Sequence, residues 1–120
     1  MNTRTERIMK ALEERGLSQM LVVDPMSIYY MTGIYIEPYE RFFGLLLRKN
    51  GEHVLFLNNL FTIPDGVELK QVWYSDTDPV MDYVMEYIDK GSKLGVDKDI
   101  KARFLLPLME NQAATGFENS

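Results

Sequence analysis

Residues 20–33 read MLVVDPMSIYYMTG, a β-branched apolar run that ends on an acid, a proline and, nine residues after the acid, a glycine. MLVVD (20–24) is short, apolar and rich in valine, the pattern of a buried strand. Asp24 can cap a helix, Pro25 suits its first turn, and Gly33 suits its end. Ile28 and Met31 are three residues apart and can face a core together. The stretch therefore predicts a strand, a tight turn and a short helix that launches a loop. Tyr29 and Tyr30 diverge around that helix, and at least one of them reaches the surface.

The flanks extend the pattern. TRTERIMKALEERG (3–16) places Ile8, Met9, Ala11 and Leu12 on one face, with charges opposite. Thr3 and Glu6 have capping-box spacing, and Gly16 stands where a C-terminal cap belongs. FFGLLLR (42–48) and HVLFL (53–57) flank KNGE, and Asn50-Gly51 is a strong hairpin signal. NNLFTIPDGVE (58–68) is irregular, and QVWYS (71–75) is a strand. DPVMDYVMEYIDKG repeats the earlier grammar, with Asp78 as cap, Pro79 first in the helix and Gly91 at its end. Val80, Tyr83, Val84, Tyr87 and Ile88 make its apolar stripe. KLGVD (93–97) is a strand, IKARFLLPLMEN is a helix interrupted by Pro107, and TGFENS begins another strand. Strands alternating with helices around one hairpin predict an α/β domain. Its expected form is a layered mixed β-sheet of about five to six strands with helices on both faces.

Composition narrows the function. The chain has 120 residues, one domain by length, and its 46% hydrophobic content supports a single core without cross-links. No cysteine is present, which excludes disulfides and thiolate chemistry and fits a cytoplasmic setting. A net charge of −5 argues against nucleic acid as a partner, and no apolar run is long enough to span a bilayer. Neither GxGxxG, GxxxxGK[ST] nor GxSxG occurs.

Few residues point to chemistry. His53, the only histidine, follows the hairpin turn and reads as a solvated strand residue. Asp76 with Asp78, and Asp97 with Asp99, read as helix-start acids first and metal ligands second. The loop IYIEPYER (34–41) stands apart. Glu37, Tyr39, Glu40 and Arg41 set donors and acceptors of both signs around a proline-stiffened turn, and Arg41 can grip a carboxylate with two hydrogen bonds. The plain alternative is a solvated loop with an internal Glu–Arg pair. The residues by themselves describe an α/β domain without a complete active site.

The order of these motifs resembles the amino-terminal domain of the creatinase/prolidase family, the Xaa-Pro dipeptidases and aminopeptidases. The resemblance rests on strand-D-P-x-x-I-x-Y-x-T-G, then FFGLLLRKNGEHVLFLNN, then KLGVDKDIKARFLLPLMEN, and covers nearly the whole chain. It implies that residues 1–120 form an accessory domain whose parent carries a separate carboxy-terminal catalytic domain absent from this chain. That domain is expected to hold two divalent metal ions (Mn, Co or Zn), so no metal ligand or catalytic residue is assigned here. The implied role is in dimerisation and in substrate access for hydrolysis of the bond before proline. The loop with Glu37, Tyr39, Glu40 and Arg41 would reach toward the partner subunit's site. Expected partners are the parent's catalytic domain, a second subunit and short proline-containing peptides. Alternatives are a free-standing binding module and a non-peptidase creatinase-like relative. Exposed apolar surface for self-association is expected at Tyr29, Tyr30 and Phe42.

Overall fold

A computed structural model describes residues 3–119, with side chains from residue 6 onward. The Thr3–Glu6 capping box therefore lies outside the described side chains. Helix α1 (Thr3–Glu14) buries Met9 and Leu12 and ends on Gly16, whose φ of +75° sets the left-handed cap. Strand β1 (Gln19–Val22) leads into α2 (Pro25–Thr32). Asp24 caps α2 by accepting from the Ser27 amide at 3.2 Å, and Gly33 closes it at φ +79° with its N–H on the Tyr29 carbonyl. Ile28 and Met31 are buried, while Tyr29 and Tyr30 both face solvent. The opening stretch thus folds from local signals: a capping oxygen, a proline where no amide is needed and a glycine where φ turns positive.

Strands β2 (Gly44–Arg48) and β3 (Val54–Asn58) form the expected hairpin, with Gly51 at φ +82° in a five-residue connection. Then follow β4 (Lys70–Tyr74), α3 (Val80–Met85), β5 (Leu94–Val96), α4 (Ala102–Glu110) and β6 (Phe117–Asn119). The six strands lie in the order β4-β3-β2-β1-β5-β6. β1–β2 and β2–β3 are antiparallel, and β1–β5, β3–β4 and β5–β6 are parallel.

The sheet is covered on both faces, so its central strands are apolar throughout. Side chains alternate between two cores. Leu21, Leu46, Val54 and Phe56 pack toward Met81, Val84 and Leu108 of α3 and α4. Val22, Leu45, Leu47, Leu55 and Leu57 pack toward Met9, Leu12, Ile28 and Met31 of α1 and α2. Phe42 is 2% exposed and belongs to the first core, so it is not the surface residue expected from sequence. Its ring packs edge-on to Phe104 at 5.0 Å.

Helix α3 departs most from expectation. Asp78 does not cap it; its carboxylate instead accepts from the Ser75 amide at 2.8 Å, and Pro79 occupies the N-cap position without a side-chain bond. The helix stops at Met85, well short of Gly91. Gln19 holds the chain there through a reciprocal pair, its amide donating to the Asp89 carbonyl and accepting from the Asp89 N–H, each at 2.8 Å. That pair consumes backbone groups that a continuing helix needs. Pro107, by contrast, is tolerated inside α4.

Candidate functional site

Loop 34–41 runs along the rim formed by the C-terminal ends of β1, β4 and β5 and the start of β2. Its first half is extended. Ile34 and Ile36 are buried in the α1/α2 core, while Tyr35 points outward and its hydroxyl donates to Glu37 at 3.2 Å. That hydrogen bond to a carboxylate raises the Tyr35 phenol pKa. The chain then turns, the Arg41 amide donating to the Pro38 carbonyl at 3.0 Å. Tyr39 sits inside the turn at φ +54°, with 76% of its surface exposed. Phe42 and Phe43 bury the far end, one in each core.

Three basic residues brace the loop. Arg41 grips Asp76 with two hydrogen bonds, Nε to Oδ1 and Nη2 to Oδ2, both at 3.0 Å. Asn58, 1% exposed at the end of β3, donates to the same Asp76 Oδ1 at 2.7 Å. These donors hold the Asp76 carboxyl below its ordinary pKa, and Asp76 in turn raises that of Arg41. Arg103 of α4 pairs with the Glu40 carboxylate at 3.0 Å and also donates to the Glu40 carbonyl. Lys101 donates to the Tyr39 carbonyl at 3.2 Å. The Glu–Arg pair is real, but it joins the loop to α4 and is not internal to the loop. Two hollows flank the strap. One of about 630 Å³ is lined by Phe42, Tyr74, Asp76, Met81, Arg103 and Phe104. The other, of about 270 Å³, is lined by Pro25, Glu37, Tyr39, Asp99 and Lys101.

The remaining sequence candidates fall elsewhere. His53 is 4% exposed, not solvated, because the hairpin folds its imidazole back so that Nδ1 accepts the Arg48 amide at 3.0 Å. Burial pushes its pKa below the ordinary value, with Arg48 adding to the effect. Asp97 caps no helix. Its Oδ2 accepts from the amides of Val23 and, at 2.9 Å, Asp24, tying the end of β5 to the end of β1. Burial raises its pKa against the pull of those two donors. Among the described residues, no three His, Asp or Glu side chains converge on a metal-holding position. Sequence reasoning did not find Asn58, Lys101 or Arg103 as parts of the loop's support. Arg103 lies 63 residues from Glu40, and nothing local to either signals the contact.

Comparisons with known proteins agree with this architecture. The family model described as creatinase/prolidase N-terminal domain matches residues 4–117. A proline dipeptidase structure from Streptococcus pneumoniae superposes with a TM-score of 0.84 at 23% identity, covering 99% of this chain and 91% of that one. The creatinase/prolidase N-terminal domain of an X-Pro dipeptidase from Streptococcus pyogenes gives 0.83 at 20% identity, covering 99% and 94%. A dipeptidase from Pyrococcus horikoshii gives 0.80 at 18% identity, covering 98% of this chain and 33% of that longer one. By sequence, an uncharacterized peptidase of Staphylococcus aureus is 37% identical over 54 residues, 45% of this chain and 15% of that protein. No described helix is long and apolar enough to cross a membrane. With a six-stranded mixed sheet, this strand order and a family match over nearly its full length, the chain belongs to the creatinase/prolidase N-terminal domain family.

Proposed function

We propose that this chain is the accessory amino-terminal domain of a metal-dependent Xaa-Pro dipeptidase. In this reading the bond before proline is cleaved in a separate domain that holds two divalent metal ions. The present domain contributes to a homodimer in the cytoplasm and narrows access for short proline-containing peptides. The observation that carries the reading is the family match over residues 4–117, and the braced rim loop adds physical support. A loop fixed at several points can exclude longer chains by bulk without being reordered at each encounter. Glu37, Tyr39, Glu40 and Arg41 shape the pocket together, Arg41 and Glu40 through their grip on the domain.

A paired assay tests this. The 120-residue chain and the longest reading frame that contains it are purified and given Xaa-Pro dipeptides with Mn²⁺, Co²⁺ or Zn²⁺. Hydrolysis by the longer chain alone is the expected result. Metal-dependent cleavage by the 120 residues alone contradicts the accessory role. Cleavage by neither directs attention to a non-peptidase relative or a binding module.

A further inference from the structure

Helices α1 and α2 frame a cleft of about 480 Å³ over β1. Its walls are apolar: Ile8 and Leu12 from α1, Met20 and Val22 from β1, Met26 and Met31 from α2. Met26 and Tyr30, which also line it, are 59% and 51% exposed, so the fold leaves much of this apolar surface uncovered. Two carboxylates, Asp24 and Asp97, are set into the same lining. Their placement follows from the topology. β1 and β5 are adjacent and parallel, and the two acids come just after their last residues. From there the chain leaves in opposite directions, from β1 through α2 to β2 and from β5 through α4 to β6. A switch of this kind opens a crevice at the carboxyl ends of the two strands, the place where open α/β sheets hold their ligands.

Each carboxylate keeps one oxygen for a ligand. Among the described residues, the hydrogen bonds to Asp97 end on Oδ2, from the amides of Val23 and Asp24, and those to Asp24 end on its own Oδ2, from the Ser27 amide and hydroxyl. Burial raises the Asp97 pKa, and the charges of Asp24 and Asp99 raise it further, so a cation placed here relieves a repulsion built into the fold. Arg15, the basic residue of the lining, enters from the turn between α1 and β1, at the other end of the strand from both acids. We propose that this cleft binds a primary ammonium carried on an apolar body, with the ammonium against Oδ1 of Asp24 and Asp97 and the hydrocarbon against the methionines. Charged N–H donors suit two carboxylate oxygens, a cavity of this size suits a small molecule, and thioether side chains adapt to its shape. A bare metal ion would find too few ligands, since no three His, Asp or Glu side chains converge among the described residues. The assignment involves no bond cleavage and stands whether or not the parent is a dipeptidase.

The test labels the methionine methyls of the 120-residue chain with ¹³C and titrates it with 2-phenylethylammonium. The methyls of Met20, Met26 and Met31 are expected to shift together with a Kd of about 1 mM or tighter, as the size of the probe allows, while those of Met81, Met85 and Met109 stay in place. 2-Phenylethanol, of the same shape without the charge, is expected to bind at least about tenfold more weakly. Asp24→Asn and Asp97→Asn each keep an oxygen for the backbone amides and lose the charge, so each is expected to weaken binding about tenfold with Tm nearly unchanged. Ala11→Phe, at an exposed position of α1 that lines the cleft, fills the space and is expected to abolish binding without disturbing either core. A free amine and the amino terminus of an apolar peptide share this chemistry. Tighter binding of phenylalaninamide, lost on acetylation of its amine, assigns a peptide terminus, whereas preference for the plain amine assigns a free amine. Unmoved methyls, equal affinity for the alcohol or unchanged affinity in both asparagine variants overturns the proposal.

Discussion

Replacing Asp97 by alanine removes the acceptor that ties β5 to β1. Its Oδ2 takes the amides of Val23 and Asp24 just beyond the last paired residues of β1, so both donors lose their partner at once. Hydrogen bonds to a charged acceptor contribute about 1.5–3 kcal/mol each. The low end applies because the site is half-buried and water can replace part of what is lost, giving about 3 kcal/mol for the pair. Burial of the carboxylate is the larger influence on its raised pKa and opposes this gain, but alanine leaves two partly buried amides without an acceptor, and that sets the net loss at about 2 kcal/mol. For 120 residues, with about 2.1 cal/mol/K of unfolding entropy per residue, that lowers Tm by roughly 8 °C. Asp97→Asn keeps an amide oxygen for the two donors and discards the charge, so it should stay within about 1 kcal/mol of wild type. The pH dependence adds a second check. The folded state holds the Asp97 proton more tightly than the unfolded chain does, so protons are released on unfolding. Wild-type stability relative to Asp97→Asn therefore falls as pH rises from about 3.9 through the raised native value. Urea titrations of the three proteins at several pH values measure both effects. Equal midpoints for the alanine and asparagine variants would refute the role of the two amide bonds.

His53 gives the opposite pH behaviour. It is buried with a lowered pKa, so the unfolded chain binds its proton first, and stability present above about pH 6.5 is lost as pH falls toward the depressed native value. NMR titration of the single imidazole should find its midpoint below that of a free histidine, and His53→Gln should flatten the acid-side loss. Gly44→Ala should cost about 1–3 kcal/mol by overpacking. The new Cβ would lie 2.6 Å from Cζ of Phe42, whose ring is confined between Phe56 and Phe104. Thermal denaturation measures that cost, and an unchanged Tm would show that the Phe42 ring has room to retreat.

How much of this was legible depended on the reach of the signal. Helix α2 could be read because Asp24, Pro25 and Gly33 act on backbone groups within four residues. The hairpin was legible because Asn50-Gly51 marks a turn between two short apolar runs, and helices on both faces followed from strands that alternate with helices. The end of α3 was not legible: Gln19 sets it from 70 residues away. His53 was misread for a related reason. Residues just after a turn are usually solvated, but here a five-residue connection leaves enough slack for the imidazole to return to the Arg48 amide. The loop's charges could be picked out by composition, yet their partners could not. Asp76 looked like a helix-start acid and is instead the anchor for Arg41, 35 residues earlier.

The sheet's topology explains why those distant residues meet. β1 is antiparallel to β2, and Val22 pairs with Leu45, so the end of β1 lies beside the start of β2. β3 runs back along β2, which brings Asn58 to the same edge, and β4, parallel to β3, delivers Tyr74 opposite Asn58 with Asp76 just beyond. β5 is parallel to β1, so Asp97 arrives at that edge too, and α4 starts a few residues later with Lys101 and Arg103. Four segments far apart in sequence therefore end on one rim, and the loop from α2 to β2 has to cross it. The hairpin register is the controlling element. A one-residue slip between β2 and β3 would exchange the faces of Leu45, Leu46 and Leu47 and carry Arg41 out of line with Asn58 and Asp76. The same register that satisfies both cores thus aligns the brace beneath Tyr39, and the loop cannot be repositioned without disturbing the packing of the sheet.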